Sequence, residues 1–305
     1  MFSYRHAFHA GNHADALKHL TLLACAQHLM QKSTPLLLID THAGAGLYRL
    51  DARAAATSGE AAQGIARLQA LAGRGGLPAA LAAYLQAVAS FNAKAGAWRT
   101  YPGSPLLLFS LMDAPQRKAV HDRLRLFELH PSDVPLLEGH IAQLHAGRRV
   151  RVECSDGFAA LKSLLPPPAA EGGSRRALVL MDPSYEIKSD YARVQETIKD
   201  ALRRFASGVY LIWHPIVARR EAHELPRRLR TLASQAGRGW LHATLHTGAA
   251  ASGAPGGGLT GSGMFLINPP HTLAAALREA LPPMCAALAE DAARARWSVE
   301  CGEGK

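Results

Sequence analysis

The sequence has few cysteines, no paired cysteine spacing and no long apolar run. Its four cysteines among 305 residues are Cys25, Cys154, Cys285 and Cys301. None is part of a C-x-x-C pair, which argues against a disulfide framework and against a zinc site built on cysteine pairs. We therefore expect reduced, buried thiols. No apolar stretch approaches the roughly 20 residues of a membrane-spanning helix, which excludes an integral membrane protein. The first residues carry charge and histidine where a signal peptide is apolar, so we expect a cytoplasmic protein.

Acidic residues are also scarce relative to basic ones. Lys and Arg number 34 against 24 for Asp and Glu, which gives a formal net charge of +10 and a pI near 9.8. This balance predicts a polyanionic partner such as nucleic acid. Arginine clusters at 148–151, 219–220 and 227–230 are candidates to contact a phosphate backbone, although a single arginine is more often solvated surface than a contact. A hydrophobic fraction of 48% with 19% charged residues excludes a disordered polycation.

Short apolar runs alternate with helical patterns along the chain. Seven runs predict buried strands, at 36–40, 124–130, 150–154, 177–182, 208–215, 241–247 and 263–270. Helical spacing predicts helices between most of them, for example at 14–30 with Asn12 near its N-cap, 135–144, 158–164 and 191–205. This order indicates a doubly wound α/β sheet. Because only the glycine-rich segment 247–263 joins the last two runs, we expect an antiparallel pair at one edge and a mobile, low-complexity loop.

Residues 51–100 interrupt the alternation. They are rich in Ala, Leu, Gln and Gly, contain no strand-like run, and follow the first strand, where a doubly wound fold needs only one helix. We predict an inserted helical cap subdomain at 51–100 near the mouth of the site, with 1–50 and 101–305 forming the main domain. An ordinary pair of surface helices is the alternative.

Three predicted strands end in residues suited to a nucleotide-like ligand. The first runs into D-T-H-A-G-A-G at 40–46, where small residues let a ligand approach the backbone, although G-x-G is an incomplete dinucleotide fingerprint. Glu128 ends the next strand, where an acidic residue binds ribose hydroxyls in nucleotide-binding folds or is simply a polar terminus. Asp156 follows the third strand and is suited both to the ligand-binding rim and to the N-cap of the next helix.

The segment Met181-Asp182-Pro183-Ser184-Tyr185, after the fourth strand, predicts the chemistry. It resembles the (D/N)-P-P-Y motif of amino-methyltransferases that use S-adenosylmethionine. An exocyclic adenine amine is a poor nucleophile because its lone pair is delocalised into the ring. Acceptance of its N–H bonds by the Asp182 carboxylate and the Pro183 carbonyl would redirect that lone pair, and the ring of Tyr185 would stack on a flipped base. Ser184 replaces the second proline, which leaves both acceptors but makes the turn less rigid. A plain Asp-Pro turn is the alternative.

The N-terminal segment carries four histidines within fourteen residues, His6, His9, His13 and His19. Their spacing fits neither a zinc finger nor an H-E-x-x-H helix, so we expect no metal. Tyr4, Arg5 and these histidines are instead candidates to contact RNA or a cofactor.

The opening M-F-S-Y-R-H-A-F-H-A-G-N-H-A-D-A-L-K-H closely resembles the N-terminus of the RlmJ family. So do D-T-H-A-G-A-G, Y-P-G-S-P, E-L-H-P-S-D, D-G-F, D-P-S-Y-E and S-G-M-x-L-I-N-P-P, in the same order over almost the whole chain. The resemblance implies a class I, Rossmann-like methyltransferase, with a seven-stranded sheet and a small helical insertion after the first strand. It further implies a monomer that uses S-adenosyl-L-methionine and no metal. The implied reaction is methylation of one adenine of 23S rRNA, the 23S rRNA (adenine(2030)-N6)-methyltransferase activity.

The resemblance also implies roles for individual residues. Cofactor contacts would come from His19, His42, Ser104, Glu128, Asp156 and Gly157, with Lys18, Gly44 and Gly46 close by. Asp182 would bind the target amine and formally accept its proton, and Tyr4 would contact RNA near the mouth of the site. Because the amine is neutral and becomes acidic once methylated, Asp182 is expected to orient it first and to act as a base second.

Two other functions remain open from the sequence. The (D/N)-P-P-Y chemistry also serves DNA-adenine and protein-glutamine methyltransferases, but the charge of +10 disfavours a protein substrate and no DNA-recognition domain is visible. A catalytically inactive RNA-binding protein is the third possibility. The presence of Asp182, Tyr185, Glu128 and Asp156 together argues against it, and cofactor binding would discriminate.

Overall fold

A computed structural model describes residues 6–52, 59–73, 75–92, 96–249 and 259–304. Tyr4 and Arg5 lie outside these ranges, as does most of the glycine-rich segment, residues 250–258.

Ten strands are present in the described ranges. Their bounds are β1 Leu37–Asp40, β2 Leu47–Arg49, β3 Thr100–Pro102, β4 Arg123–Phe127, β5 Val150–Glu153, β6 Ala177–Met181, β7 Val209–Ile216, β8 Trp240–His246, β9 Gly261–Ile267 and β10 Arg296–Gly302. Eight of them form one sheet in the order β10-β8-β9-β7-β6-β1-β4-β5, and β2 pairs with β3 in a separate two-stranded antiparallel sheet. The strands β5, β4, β1, β6 and β7 are parallel, whereas β9, β8 and β10 are joined by antiparallel pairings.

The helices of the described ranges cover both faces of this sheet. Their bounds are α1 His13–Leu29, α2 Glu60–Gln63, α3 Ile65–Ala72, α4 Ala79–Ser90, α5 Ser104–Met112, α6 Asp133–Ala142, α7 Gly157–Leu164, α8 Ser189–Arg204, α9 Arg220–Gln235 and α10 Leu273–Leu288. One core contains α1, α4, α5 and α10, and the other contains α7, α8 and α9. Because helices lie on both faces, every residue of β6 is buried, which explains its continuous apolar run. The predicted doubly wound α/β sheet is confirmed.

The edge of the sheet differs from the prediction in two ways. The sheet has eight strands instead of seven, because β10 adds to β8. The residues of β10 are exposed or half-buried, so this edge strand lacks the apolar run that marks the others. The pair β8 and β9 is antiparallel as predicted, but it does not form the edge, since β9 lies between β7 and β8 and β10 lies outside β8.

Helix α1 begins as predicted, because the Asn12 side chain accepts hydrogen bonds from the backbone amides of Ala14 and Asp15, both 2.9 Å long. Twelve of its residues are buried, so it is an interior helix that can carry polar groups into the protein. Asp15, Lys18 and His19 are among them.

The segment between β2 and β3 contains α2, α3 and α4. The antiparallel pairing of β2 with β3 brings the two ends of this segment together. It packs on the N-terminal segment, where the amide of Ile65 donates to the carbonyl of Gly11 at 2.7 Å. Helix α4 packs against α1 and α10. The division into a main domain and a cap stays a prediction.

All four cysteines are free thiols, but only Cys25 and Cys285 are buried. The expectation of burial is wrong for Cys154, just after β5, and Cys301, in β10. Both lie at the outermost strands of the sheet, where one side of the backbone faces solvent.

Among the described helices, none is both long and apolar enough to cross a bilayer.

Candidate active site

A cavity of about 570 Å³ opens where β1, β4, β5 and β6 end, within the usual size range for small-molecule sites. It lies at the carboxyl edge of the parallel strands, where open α/β sheets bind ligands. Of the twelve residues given a catalytic or cofactor-binding role from the sequence, eleven line it: Lys18, His19, His42, Gly44, Ser104, Glu128, Asp156, Gly157, Asp182, Pro183 and Tyr185. Gly46 does not, because it lies one turn further along the loop, where its carbonyl accepts a hydrogen bond from the amide of Gly103.

Glu128 is held by backbone amides at the end of β4. Its Oε2 accepts a hydrogen bond of 2.7 Å from the amide of Gly44, and its Oε1 accepts from the amides of Leu129 and His130 at 2.8 and 2.7 Å. A carboxylate has about four acceptor positions, so at least one remains for a ribose hydroxyl. Gly44 has a φ of +60°, and a Cβ there would lie 2.2 Å from the hydroxyl of Tyr48. Glycine is therefore required beside Glu128.

Asp156 begins helix α7, as predicted from its N-cap position. Its Oδ1 accepts a hydrogen bond of 3.0 Å from the amide of Phe158, and its Oδ2 forms an ion pair with Arg193 of α8. The guanidinium of Arg193 also lies over the ring of Phe158, with Cζ 4.7 Å from the ring centroid. The sequence did not point to Arg193, because it lies within a helical pattern without a motif. A Cβ on Gly157 would lie 2.2 Å from the carbonyl oxygen of Thr41, so this glycine lets α7 approach the end of β1.

The end of β1 and the residues just after it contact two helices at the same cavity, α5 and α7. The hydroxyl of Ser104 donates to Oδ2 of Asp40 at 2.6 Å. Burial raises the pKa of Asp40 to about 6, against the opposing effect of this hydrogen bond. The ring of His42 packs edge-on against Phe158, with centroids 4.7 Å apart. Burial lowers the pKa of His42 to about 4, so His42 is neutral at pH 7.

His19 presents a neutral imidazole to the cavity. Its Nδ1 lies 2.7 Å from the hydroxyl of Tyr101, which in turn lies 3.1 Å from the hydroxyl of Tyr84. Burial lowers the pKa of His19 well below its usual value, and the positive charge of Lys18 acts in the same direction. The Nε2 atom is buried and has no hydrogen-bond partner among the described residues. Such a buried polar atom at a cavity wall is a candidate contact for a polar ligand.

Lys18 connects two carboxylates across the site. Its Nζ lies 2.5 Å from Oδ2 of Asp182, in the turn after β6, and 2.8 Å from Oδ1 of Asp15, one helical turn away. Asp15 also accepts a hydrogen bond of 2.9 Å from the amide of Gly11, and its Oδ2 lies 2.9 Å from Nε2 of His6. The sequence reasoning missed Asp15, although its spacing to Lys18 places both residues on one face of α1.

The two carboxylates have opposite pKa shifts. Burial raises the pKa of Asp182, and Lys18 only partly offsets this, so the pKa remains above its usual value. Burial also acts to raise the pKa of Asp15, but His6 and Lys18 lower it well below the usual value. Burial acts to lower the pKa of Lys18, yet both carboxylates raise it overall. Asp15 is therefore the fixed counter-ion of Lys18, and Asp182 is the carboxylate that more readily exchanges a proton.

Tyr185, the last residue of the D-P-S-Y turn, is buried and hydrogen-bonded. It adopts a φ of +54° and is only 2% exposed, and its hydroxyl donates to the carbonyl of Trp213 at 2.7 Å. Its ring packs against Tyr191, with centroids 4.6 Å apart. Arg219 donates to the carbonyl of Tyr185 at 3.1 Å. Stacking of Tyr185 on a target base stays a prediction, because most of this ring is covered in the structure.

Trp213 is a second aromatic side chain at this end of the cavity, and the sequence reasoning missed it. It lies in β7, inside an apolar run that was interpreted only as a buried strand. Its position near the carboxyl end of a parallel strand was the available signal.

The predicted arginine clusters are largely paired with acids. Five of these arginines form ion pairs: Arg149 with Asp113, Arg151 with Glu153, Arg220 and Arg228 with Glu224, and Arg230 with Glu300. Arg219 differs, since it lines the cavity.

Comparisons with known proteins agree with these motifs. Residues 33–300 match the family described as "Ribosomal RNA large subunit methyltransferase D, RlmJ". The chain is 42% identical over 282 residues to ribosomal RNA large subunit methyltransferase J of Escherichia coli, covering 92% of each chain. It is 37% identical to the protein of the same name from Haemophilus influenzae, covering 98% of each. A crystal structure of a Legionella pneumophila protein matches with a TM-score of 0.79 and 30% identity, covering 97% of this chain and 99% of that one. The chain belongs to the RlmJ family of ribosomal RNA large subunit methyltransferases.

Proposed function

We propose that this protein transfers a methyl group from S-adenosyl-L-methionine to the exocyclic N6 of one adenine in 23S rRNA, adenine 2030. The observation that carries the proposal is the position of Asp182. It follows β6 in a D-P-S-Y turn and faces the same cavity as Glu128 and Asp156, the acidic ends of β4 and β5. This arrangement has a nucleoside-binding part and an amine-binding part within one site.

The described residues fit the proposed cofactor. Glu128 keeps an acceptor position for a ribose and is held by the Gly44 amide, and Gly157 lets the start of α7 lie close to the end of β1. The buried, unpartnered Nε2 of His19 is available to the polar end of an amino acid. When bound, the cofactor supplies an electrophilic methyl group on a sulfonium.

Asp182 and Pro183 would act on the target amine. Lys18 holds Oδ2 of Asp182 at 2.5 Å, which fixes the carboxylate and leaves its other oxygen as an acceptor for an N–H of the amine. The Pro183 carbonyl would accept the second N–H. Both bonds favour the pyramidal amine whose lone pair is available for attack. Formation of the N–C bond, with cleavage of the methyl–sulfur bond to leave a neutral thioether, would make N6 cationic. N6 would then lose one proton, and the raised pKa of Asp182 suits this carboxylate to receive it.

The target adenine has to leave its stack to reach this turn, since Asp182 is buried within a cavity. The polar and aromatic groups at the Asp182 end, including Trp213 and Arg219, are available to hold the flipped nucleotide. Action as a monomer in the cytoplasm, on protein-free 23S rRNA or an early assembly intermediate, belongs to the same proposal. So does a contact of Tyr4 with the RNA.

The test is methyl transfer from labelled S-adenosylmethionine to protein-free 23S rRNA that is unmodified at its target. The product nucleoside is identified by mass, and Asp182→Ala is assayed in parallel. We expect N6-methyladenosine with the intact enzyme and none with the variant, while cofactor binding by the variant is largely retained. Equal loss of binding and transfer would contradict the assigned role of Asp182. Cofactor binding without transfer would redirect the search to DNA and assembled particles, and absence of cofactor binding would favour an RNA-binding protein.

A further inference from the structure

A second cavity, of about 330 Å³, lies beside the first at the same edge of the sheet. Val217 lines both cavities, so the two are neighbours along the loop that follows β7. The second cavity is bounded by the ends of β7 and β8 and the starts of β9 and β10. Ile216 pairs with Gly261, and His246 pairs with both Gly261 and Arg296.

Five of the ten described residues that line the second cavity have side chains that can donate a hydrogen bond or carry positive charge. Four of them are Arg294, Arg296, His223 and His246, and no carboxylate is among the described lining residues. Arg296 is exposed and forms no ion pair with a described acid. Arg294 pairs with Asp291 at 3.1 Å, but both side chains are largely exposed, so water screens this pair and an anion can compete for the arginine.

The start of helix α9 adds a second source of positive potential. Ala218 and His223, on either side of that start, line the cavity. The helix has 16 residues, and no side chain caps its N-terminus. The unpaired amides of its first turn and its dipole therefore favour an anion on this side.

The second cavity is connected to the proposed base site by a short segment. Val217 is shared by the two cavities, and two residues later Arg219 donates to the carbonyl of Tyr185 in the D-P-S-Y turn. Two residues of extended chain span at most about 7 Å. Val217 and Arg219 are therefore close together, and the second cavity adjoins the end of the first at which Arg219 contacts the D-P-S-Y turn.

We propose that the second cavity binds backbone phosphate of the RNA strand next to the target adenine, with Arg294 and Arg296 as the principal contacts. This inference rests on the proposed function, because it takes the substrate to be RNA entering at Asp182. The two arginines do not belong to the clusters that the sequence singled out, and they differ from those clusters in lining a cavity that adjoins the first.

The test uses the full chain and a 23S rRNA fragment that carries the unmodified target. Equilibrium RNA binding and steady-state transfer are measured at several salt concentrations for the double variant Arg294→Gln/Arg296→Gln. The matched control is Lys162→Gln/Arg203→Gln, which removes the same charge from exposed positions near the C-terminal ends of α7 and α8, away from both cavities. A third variant, Arg294→Lys/Arg296→Lys, keeps the charge.

We expect the RNA dissociation constant and KM of the glutamine variant to rise about tenfold, and the slope of log K against log salt to fall by about 1.4 for two lost phosphate contacts. The kcat at saturating RNA and the affinity for S-adenosylmethionine are expected to match those of the intact enzyme. The lysine variant is expected to recover most of the binding, and the control to bind like the intact enzyme.

The inference would be overturned if the glutamine variant and the control bound RNA equally well. Binding of inorganic phosphate is measured alongside. The inference would also be overturned if the glutamine variant lost phosphate binding but kept RNA binding, since the cavity would then serve a small anion. Because RNA binding is measured without turnover, failure of the proposed function has its own signature: the intact protein transfers no methyl group, whatever the variants do to binding.

Discussion

The Nζ of Lys18 lies 2.5 Å from Oδ2 of Asp182, although 164 residues separate them in the chain. One belongs to the interior helix α1 and the other to the turn after β6. Because the side chains are only 6% and 15% exposed, little water screens the pair. The contact both fixes the carboxylate and counteracts the effect of burial, which by itself would favour protonated Asp182.

Substitution of Lys18 by Met is expected to slow transfer and to shift its pH dependence. Removal of the lysine charge leaves burial unopposed, so the pKa of Asp182 rises further and the ionised carboxylate is lost at higher pH. The acidic limb of the kcat/KM profile should therefore move to higher pH, and the loss of a fixed carboxylate should lower kcat by about 10²-fold.

The measurement is the pH profile of single-turnover transfer, with Lys118→Met as the control. Lys118 is 59% exposed and pairs only with a surface aspartate, so its removal should change neither rate nor profile. A uniform decrease in rate with an unshifted acidic limb would show that Lys18 does not control the ionisation of Asp182.

Asp15→Asn is expected to lower the free energy of unfolding, by an amount that depends on pH. Removal of one partner from a buried ion pair typically costs about 3–5 kcal/mol, and Lys18 would then keep Asp182 as its remaining carboxylate partner. His6 and Lys18 hold the pKa of Asp15 in the folded protein well below its usual value of about 3.9. Its stabilising contribution is therefore fully present above about pH 4 and declines as pH falls towards the folded-state pKa.

Urea unfolding of the intact protein and of Asp15→Asn across this pH range would measure the difference directly. The gap in unfolding free energy should be largest near neutral pH and should narrow in acid. Asp200→Asn is the control, because its exposed pair with Arg204 is worth about 1 kcal/mol or less. A gap that stays constant with pH would contradict the assigned ionisation of Asp15.

The sequence predicted most of the sheet and the ends of its parallel strands. Continuous apolar runs marked β1, β4, β5 and β6, and their carboxyl ends meet at one edge in any doubly wound fold, so Glu128, Asp156 and Asp182 could be placed together. The polar edge strand β10 was missed because its residues are exposed or half-buried and form no apolar run.

The rest of the site depends on contacts between segments distant in the chain. The bond from Ser104 to Asp40 spans 64 residues, and the pair of Arg193 with Asp156 spans 37. Neither follows from local periodicity, because a helical pattern shows which face is buried but not which charged group lies opposite. The Asp15–Lys18 pair could have been predicted, because a spacing of three residues places both side chains on one face of α1.

Glu128→Gln is expected to weaken cofactor binding. The carboxylate accepts three backbone N–H bonds, and an amide nitrogen at either position would oppose one of these donors and also remove a charged acceptor from the ribose. A hydrogen bond to a charged group is worth about 1.5–3 kcal/mol, so the dissociation constant of S-adenosylmethionine should rise by about 10- to 100-fold.

Isothermal titration of the cofactor measures this effect, and Glu138→Gln on the exposed side of α6 is the matched control. Transfer at saturating cofactor should be affected much less than binding, because Glu128 lies at the end of β4 and is not a partner of Asp182. Unchanged affinity in Glu128→Gln would remove Glu128 from the cofactor site.

Gly157→Ala tests the close approach between α7 and the end of β1. A Cβ at this position would lie 2.2 Å from the carbonyl oxygen of Thr41, and backbone cannot rotate away as a side chain can. The helix would have to move outward, which should cost about 1–3 kcal/mol of stability and displace Asp156 from the cavity wall.

Gly139→Ala is the control: it lies within α6 with open space around it, so alanine should stabilise by about 0.5–1 kcal/mol. Thermal unfolding with and without S-adenosylmethionine separates the two effects, since the ligand should raise the unfolding temperature of Gly139→Ala as in the intact protein and raise that of Gly157→Ala less. An equal ligand-induced rise in both variants would mean that the cofactor does not depend on the position of α7.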